Sequence, residues 1–248
     1  MALLYVVMLF SCMLGGIWPA VWWTQCCRAW AHGPFTLSLV ILGDVFLFGL
    51  GYLLALLAWR VVIPRPREGF FRSRVDGRPR REMVVFMLNM LLTRLRYEVP
   101  WARIVLHAWT VAPLVGGLYR RLFCPHLHAV TLTDTNVILD PYLMHVHPTV
   151  QLATGARFSC HLFDQRGLYV KRIVIEEHAL IGPEVMIGPG VQIGHHSLVE
   201  GRSAIPPNVR IPPYEQWGGV PACKVRALRR PDEGPETVAA ASTATGAP

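Results

Sequence analysis

Ile187-Gly188-Pro189-Gly190-Val191-Gln192-Ile193-Gly194-His195-His196-Ser197-Leu198-Val199 places a large aliphatic residue at every sixth position. The same phase runs from Ile175 through Ile181, Ile187, Ile193, Val199 and Ile205 to Ile211. Four residues after each of the first six stands a small or β-branched residue: Ala179, Val185, Val191, Ser197, Ser203 and Val209. Glycine, proline and polar residues fill the gaps. A helix repeats every 3.6 residues and an amphipathic strand every two, so neither produces a strict six. A coil built of flat six-residue faces does, because each face turns one large side chain inward before the chain bends to the next. The period predicts a triangular parallel β-helix.

Counting back in sixes from Ile175 gives Tyr169, with Ile173 as its fifth-position partner. Beyond a break come Phe158, Leu152 and Val146, with Leu162, Ala156 and Val150 at the matching positions. Phe158 and Tyr169 are 11 positions apart instead of six, which predicts five inserted residues. Eleven faces then make nearly four coils over about 130–216, a prism roughly 20 Å tall at the spacing of paired strands. Trp217-Gly218-Gly219-Val220-Pro221-Ala222 ends the repeat.

The rest of the chain has a different composition. Of the 248 residues, 52% are hydrophobic and only 16% charged, and the apolar ones are concentrated near the start. Leu3–Trp23 carries no charge, and Leu37–Ile63 holds only Asp44 and Arg60. Each is long enough to cross ~30 Å of hydrocarbon as a helix. With the short loop at Trp30 and Pro34 they predict a transmembrane helical hairpin over 1–63. A cleaved signal peptide is the rival, given Ala29-Trp30-Ala31, but no Lys or Arg precedes the first run and its length exceeds a typical signal core.

From Arg60 to Arg121 there are 13 arginines against Glu68, Asp76, Glu82 and Glu98, a balance of +9 where the remaining chain sums to −1. Arginines crowded just past a hairpin follow the positive-inside pattern and suit anionic lipid headgroups, so the β-helix is expected on the cytoplasmic side. No nucleic-acid motif accompanies the charge, and no nucleic-acid partner is expected. Residues 64–129 are read as a basic connector with interfacial or re-entrant helices, the apolar stretch Ile104–Tyr119 being short for a span. Residues 229–248 lack any apolar period and are expected to be disordered. The six cysteines form no CxxC pair or finger spacing, so a reducing compartment is the default.

The break in phase is where chemistry is expected, since an insertion leaves a rigid repeat as a loop. Around it the chain reads Ser159-Cys160-His161-Leu162-Phe163-Asp164-Gln165-Arg166-Gly167. His161 is a candidate general base, Asp164 a carboxylate able to orient or charge it, and Arg166 an anion binder. Cys160 as a nucleophile is the alternative, against its ordinary fate as a small residue pointing into a coil. His178, His195 and His196 occupy turns of the repeat, and His145 and His147 precede it. Zinc held by three histidines is a further alternative, but no set of three at suitable spacing stands out, and no metal site is assigned.

With Asp140-Pro141, Leu143 and Val150–Ala156, the stretch Cys160-His161-Leu162-Phe163-Asp164-Gln165-Arg166 resembles the terminal membrane domain of poly-lysine-synthetase-type nonribosomal peptide synthetases. The resemblance covers residues 40–225. That family joins transmembrane helices to left-handed hexapeptide β-helices, and it tends to have Thr at the position of Cys160 and Glu at that of Asp164. The resemblance implies a membrane α-helical N-terminal region plus an all-β C-terminal left-handed parallel β-helix over 130–228. It implies His161 as catalytic base with Asp164 and Arg166 in support, and an acyl or aminoacyl thioester as donor. Adenylation and carrier domains are absent from this sequence, so the donor would be coenzyme A or the phosphopantetheine of a separate carrier protein, with no permanently bound cofactor. The ending Trp217–Val225 is similar to the close of hexapeptide acetyltransferases, which implies Gly218, Gly219, Pro221, Ala222 and Lys224 beside the donor, although Cys223 interrupts that pattern. Capping of the repeat accounts for the same segment without a ligand. A single β-helix copy predicts self-association, a trimer being the form common among soluble relatives. The expectation is a membrane-anchored acyltransferase, with a non-catalytic membrane scaffold as its rival and a zinc lyase as a third possibility.

Overall fold

A computed structural model describes residues 2–30, 32–72, 81–97, 113–127 and 136–230 of the chain. The arginines at 74, 78, 80 and 103, positions 104–112 of the apolar stretch Ile104–Tyr119, residues 128–135 and the tail from 231 onward lie outside the described residues. The chain divides into two compact units. The first comprises 1–125 with 139–142 and 163–169, and the second 126–138, 143–162 and 170–248.

In the first unit, α1 (Ala2–Cys27) and α2 (Pro34–Val62) form an antiparallel pair, both long and apolar enough to cross a membrane. Phe10, Trp18, Phe35 and Leu42 point outward and are exposed. Between the helices the contact runs through glycines. A Cβ on Gly51 would overlap the carbonyl of Gly15, and one on Gly16 would sit 2.7 Å from the Phe48 carbonyl oxygen. Close backbone approach of this kind maximises van der Waals contact between the two helices. Three side-chain bonds add to it: Trp23 Nε1 to the Val40 carbonyl (3.2 Å), Trp59 Nε1 to Ser11 Oγ (2.8 Å), and the Thr24 hydroxyl to Asp44 (2.8 Å).

Where α2 ends, the Arg60 guanidinium is buried and donates to Asn89 Oδ1 and the Ile63 carbonyl. Asn89, on α3 (Arg81–Tyr97), donates in turn to the carbonyls of Pro64 (2.9 Å) and Val85 (2.7 Å). The bonds to Ile63 and Pro64 give partners to the two carbonyls that follow the end of α2, while Val85 lies within α3 itself. Tyr52 Oη donates to the Leu95 carbonyl, and Thr93 Oγ1 to that of Leu139. A short strand β1 (Gly69–Arg72) and the helix α4 (Pro113–Phe123) complete this unit.

The second unit is the repeat. Its strands β2 (Val137–Ile138), β3 (Met144–Val146), β4 (Gln151–Leu152) and β5 (Arg157–Phe158) are followed, after β6 (His161–Phe163) and β7 (Gly167–Val170), by β8 (Ile173–Ile175). Then come β9 (Leu180–Ile181), β10 (Met186–Ile187), β11 (Gln192–Ile193), β12 (Leu198–Val199), β13 (Ala204–Ile205), β14 (Arg210–Ile211) and β15 (Glu215–Gly219). They fall into three parallel sheets, ordered β2-β5-β10-β13, β3-β8-β11-β14 and β4-β9-β12-β15. The chain visits the sheets in fixed rotation, four times over. In-register pairs stack the large residues in columns: Ile138, Phe158, Ile187 and Ile205 in the first sheet, Val146, Ile175, Ile193 and Ile211 in the second. All eight are buried. The two buried serines of the inner positions are satisfied, Ser197 Oγ donating to the Pro212 carbonyl and Ser203 Oγ accepting from the Gly219 N–H.

This pairing corrects the count at the break. Phe158 of β5 is followed in the rotation by Ile175 of β8, because Val146 pairs with Ile175 and Phe158 with Ile187. Tyr169 therefore belongs to none of the three sheets, and the insertion is 11 residues long instead of five. Phe158 and Ile175 are 17 positions apart, one six-residue step plus 11, and Tyr169 mimicked the phase because it stands six before Ile175. Leu162, expected inside the coil, is 46% exposed on β6.

Candidate functional site

The insertion starts where the regular ladder lets go. Ser159 N–H still bonds the Ile187 carbonyl of the next coil (3.1 Å), after which the chain turns out of the repeat. It is a self-paired hairpin and not an open loop. Lys171 N–H closes its base on the Cys160 carbonyl (2.9 Å), and Asp164 and Gly167 exchange backbone bonds at its tip (2.9 and 3.3 Å). Gln165 and Arg166 form the two-residue turn between. Strand β7 is flanked by β1 on its other edge. The approach of β1 requires a glycine, since a Cβ on Gly167 would run into the Phe71 backbone.

His161 is half-buried on β6. Ser159 Oγ lies 3.3 Å from His161 Nδ1 and 2.8 Å from the His161 carbonyl oxygen. Cys160 beside it is buried, the usual place for a small inward side chain. Asp164 has a structural task at the tip. Its Oδ1 accepts the backbone N–H groups of Arg166 and Gly167, both at 2.8 Å, and its Oδ2 meets Arg166 Nε at 3.3 Å. The backbone N–H of Gly167, then that of Arg166, holds the carboxyl below its ordinary pKa, with the Arg166 charge adding to the effect. This is an Asx-type turn, in which the side chain does the work of a backbone carbonyl. The Arg166 side chain is 84% exposed.

The second set of expected residues folds as a terminal hairpin. Strand β15 pairs antiparallel with β16 (Ala222–Ala227), extending the third sheet past the last coil. Gly218 is buried, and a Cβ there would collide with the Glu200 carboxylate. Gly219 takes a positive φ of 94°. Pro221 follows a cis peptide bond and Ala222 is buried. Lys224 Nζ pairs with Glu215 Oε1 at 2.6 Å, and Trp217 Nε1 donates to Glu215 Oε2 at 2.8 Å. Burial of Glu215 opposes its ionisation, yet the bonds from Lys224 and Trp217 outweigh it and leave the carboxyl below its usual pKa. The base of the inserted hairpin, at Cys160 and Lys171, leaves the second coil and β15 belongs to the fourth, so these two points differ by two coils, roughly 10 Å along the stack.

Two of the turn histidines form a ring column with Tyr214 that the sequence encodes only as an 18-residue spacing. His178, His196 and Tyr214 are 18 residues apart, one coil each, and all three adopt φ between 53° and 58°. Their rings stack, His178 on His196 at 4.8 Å and His196 on Tyr214 at 5.0 Å. The rings of His178 and His196 are nearly parallel, so their lone pairs run side by side and do not converge as the ~2.1 Å bonds to a shared zinc require. Among the described residues, no group of three or more His, Cys, Asp or Glu side chains is placed to hold a metal ion. Ser159 is the other residue that sequence reasoning passed over, because a serine two positions before a histidine is too common to stand out.

No protein-family model matches the chain, and no curated protein matches it in sequence. Among solved structures, AntD, an N-acyltransferase from Bacillus cereus in complex with dTDP and 3-hydroxybutyryl-CoA, is 17% identical with a TM-score of 0.33, covering 35% of this chain. The match spans about half of AntD, 53% of its length. A hexapeptide-repeat-containing acetyltransferase from Vibrio cholerae is 20% identical (TM-score 0.36) over 47% of this chain and 81% of its own. The polySia-specific acetyltransferase NeuO is 19% identical (TM-score 0.33) over 44% and 56%. Likeness at these scores carries no argument about activity, and the three-sheet coil rests on its own strand pairings.

Proposed function

We propose that this chain is a membrane-anchored acyltransferase of the left-handed β-helix type. It moves an acyl or aminoacyl group from a thioester, of coenzyme A or of a carrier protein's phosphopantetheine, to an amine or hydroxyl acceptor. One observation carries this reading: among the described residues the coil opens after β5 for an 11-residue insertion, a hairpin that presents a histidine with a hydrogen-bonded ring. Acyl transfer needs a base because the acceptor must lose its proton as it attacks the thioester carbonyl. His161 takes that proton. The new N–C or O–C bond forms as the C–S bond breaks, and the departing thiolate recovers the proton from the imidazolium. Backbone N–H groups of a neighbouring coil are the natural donors to the transient oxyanion.

Arg166, exposed and fixed at its base by the Asp164 turn, suits the phosphates of either donor; Asp164 then acts by presenting it. Gly218, Gly219, Pro221, Ala222 and Lys224 border the donor in the same proposal. The apolar helices anchor the chain with the coil on the cytoplasmic side, amid lipid, where a carrier protein and further copies of the chain, as a trimer, are the expected partners. The scaffold alternative draws on Asp164 and Lys224 each being engaged within its own hairpin. Thiol release from a panel of acyl-CoA and carrier thioesters separates the two. Wild type is expected to turn over at least one member, and His161→Ala to lower its kcat by about 10²–10⁴-fold, the range of general-base catalysis. Equal turnover by the mutant sinks the His161 assignment, and an inert wild type favours the scaffold.

A further inference from the structure

We infer that the acceptor reaching His161 is carried by a membrane lipid, with Phe70 and Phe163 seated in the headgroup layer beside it. This rests on the proposed membrane anchor and on His161 as base, and it names the class of acceptor. The surface of α2 stays apolar to its end, where Val61 and Val62 are both exposed. From there a series of contacts, all within the first unit, leads to the inserted hairpin. Tyr52 and Arg60 of α2 bond Leu95 and Asn89 of α3, so the two helices run antiparallel. Phe86 precedes Asn89 by three residues and so stands about 4.5 Å past the level of Arg60. Its ring meets that of Phe163 edge-on, with centroids 5.6 Å apart. Phe163 is thereby held just past the level where the apolar surface of α2 stops. The headgroup layer outside the hydrocarbon is about 5–8 Å deep on each side.

Strand β1 is tied to the same level along the chain. Between Val62 and Gly69 the backbone is fastened by Asn89 at the Pro64 carbonyl. Arg65 fastens it again, donating to the carbonyls of Arg121 and Leu122 (3.3 and 3.2 Å) at the end of α4. Burial alternates along β1, so Phe70 and Arg72 share its exposed side. Both outer strands of the sheet β1-β7-β6 thus carry a half-exposed phenylalanine, 45% at Phe70 and 46% at Phe163. Gly167 and Leu168 of the middle strand are buried. Single exposed apolar residues are ordinary on a protein surface. Here they stand with the exposed arginines 65, 67 and 72, against Glu68, a combination that suits anionic headgroups and the acyl boundary beneath them. His161 lies two residues from Phe163 on β6, about 7 Å at the rise of a strand. An amine or hydroxyl on a lipid headgroup covers that distance without leaving the bilayer, whereas a soluble acceptor gains nothing from aromatic side chains at that depth.

Full-length protein in vesicles of phosphatidylethanolamine and phosphatidylglycerol, supplied with the thioester panel, tests this. Glycerophosphoethanolamine and glycerophosphoglycerol, the same headgroups without acyl chains, serve as soluble counterparts. Acylated lipid, read by mass spectrometry, is expected to form about tenfold faster or more than either acylated soluble headgroup, because confinement to the bilayer raises the local acceptor concentration. Independently of turnover, a nitroxide at Phe70→Cys, in protein carrying Cys26→Ser and Cys223→Ser, reads the depth. Its relaxation is expected to respond more to dissolved oxygen than to a water-soluble nickel chelate. A label that responds more to the chelate overturns the inference, as does acylation of the soluble headgroups at the lipid rate. Absence of turnover with every acceptor removes the lipid acceptor together with the acyltransferase reading. Full transfer to lipid by His161→Ala, with the label at headgroup depth, upholds the acceptor and fails the base assignment alone.

Discussion

The coil and the hairpin that interrupts it use the same strands and opposite strategies. In the coil, an inner strand such as β11 is paired on both sides, to β8 and β14, and its Ile193 is packed between Ile175 and Ile211. Such stability is a sum of nearest-neighbour terms spread along the stack. In the hairpin, the backbone is fixed by a few local devices: the Asp164 turn, the Gly167 approach to Phe71 and the closing bond between Lys171 and Cys160. The coil tolerates no change of phase but makes its positions equivalent. The hairpin makes each position different, which is the condition for placing a particular side chain at a particular point.

The largest effect is expected in the coil. Ile193→Ala removes three carbons from a fully packed column whose backbone is paired on both sides and so relaxes little. A loss of about 2–5 kcal/mol is expected from chemical unfolding followed by β-sheet circular dichroism. Ile175→Ala and Ile187→Ala should fall in the same range if the positions are equivalent. A spread as wide as the range itself among the three would break that half of the comparison.

A smaller effect with sharper localisation is expected at Gly167. Its side-chain direction is filled by the Phe71 carbonyl and the Arg72 Cα, which are backbone atoms and cannot swing aside. Gly167→Ala should cost about 1–3 kcal/mol, the usual penalty of overpacking. The loss should appear as faster hydrogen exchange at Phe71 and Arg72 while the amides of Val191 and Ile193 stay protected. Uniformly faster exchange in the coil as well would show that the hairpin is not a locally held device.

The same contrast decides what the sequence revealed. Ile175 to Ile211 were legible as a coil because the period of six is imposed at every turn and an error at one position is outvoted by the others. The sheet order there, with successive members of each column 18 residues apart, follows from that period alone. At the break no such redundancy exists. Tyr169 stands six before Ile175 and so passed for a face, although β7 leaves the coil. Leu162 likewise stands at a core spacing and is exposed. The motif residues His161, Asp164 and Arg166 could be picked out by type, but their tasks could not, because the Asp164 turn and the Ser159 bond depend on backbone conformation that no spacing encodes. The glycine contact between Gly15 and Gly51 was equally silent, since apolar helices permit many pairings and only the packed one selects its glycines.

The Asp164 turn allows the smallest and most specific test. Its carboxyl titrates below its ordinary value near 3.8 in the folded chain, because its charged form accepts the Gly167 and Arg166 N–H groups. A group of this kind stabilises the fold fully above the unfolded-state pKa and loses that contribution as pH falls through the lower folded-state value. From neutral pH down to about 4 the turn should therefore be unchanged, and below that it should loosen as the proton binds. The exposed site makes the effect on global stability small, but the Arg166 and Gly167 amides report it locally. Their exchange protection, after correction for the intrinsic pH dependence of exchange, should fall below pH 4 in wild type. In Asp164→Asn, which keeps an acceptor oxygen but has nothing to titrate, it should stay flat across the same range. Equal acid sensitivity in the two proteins would mean that the turn is held by its backbone bonds alone, and that the carboxylate at 164 is available for another partner.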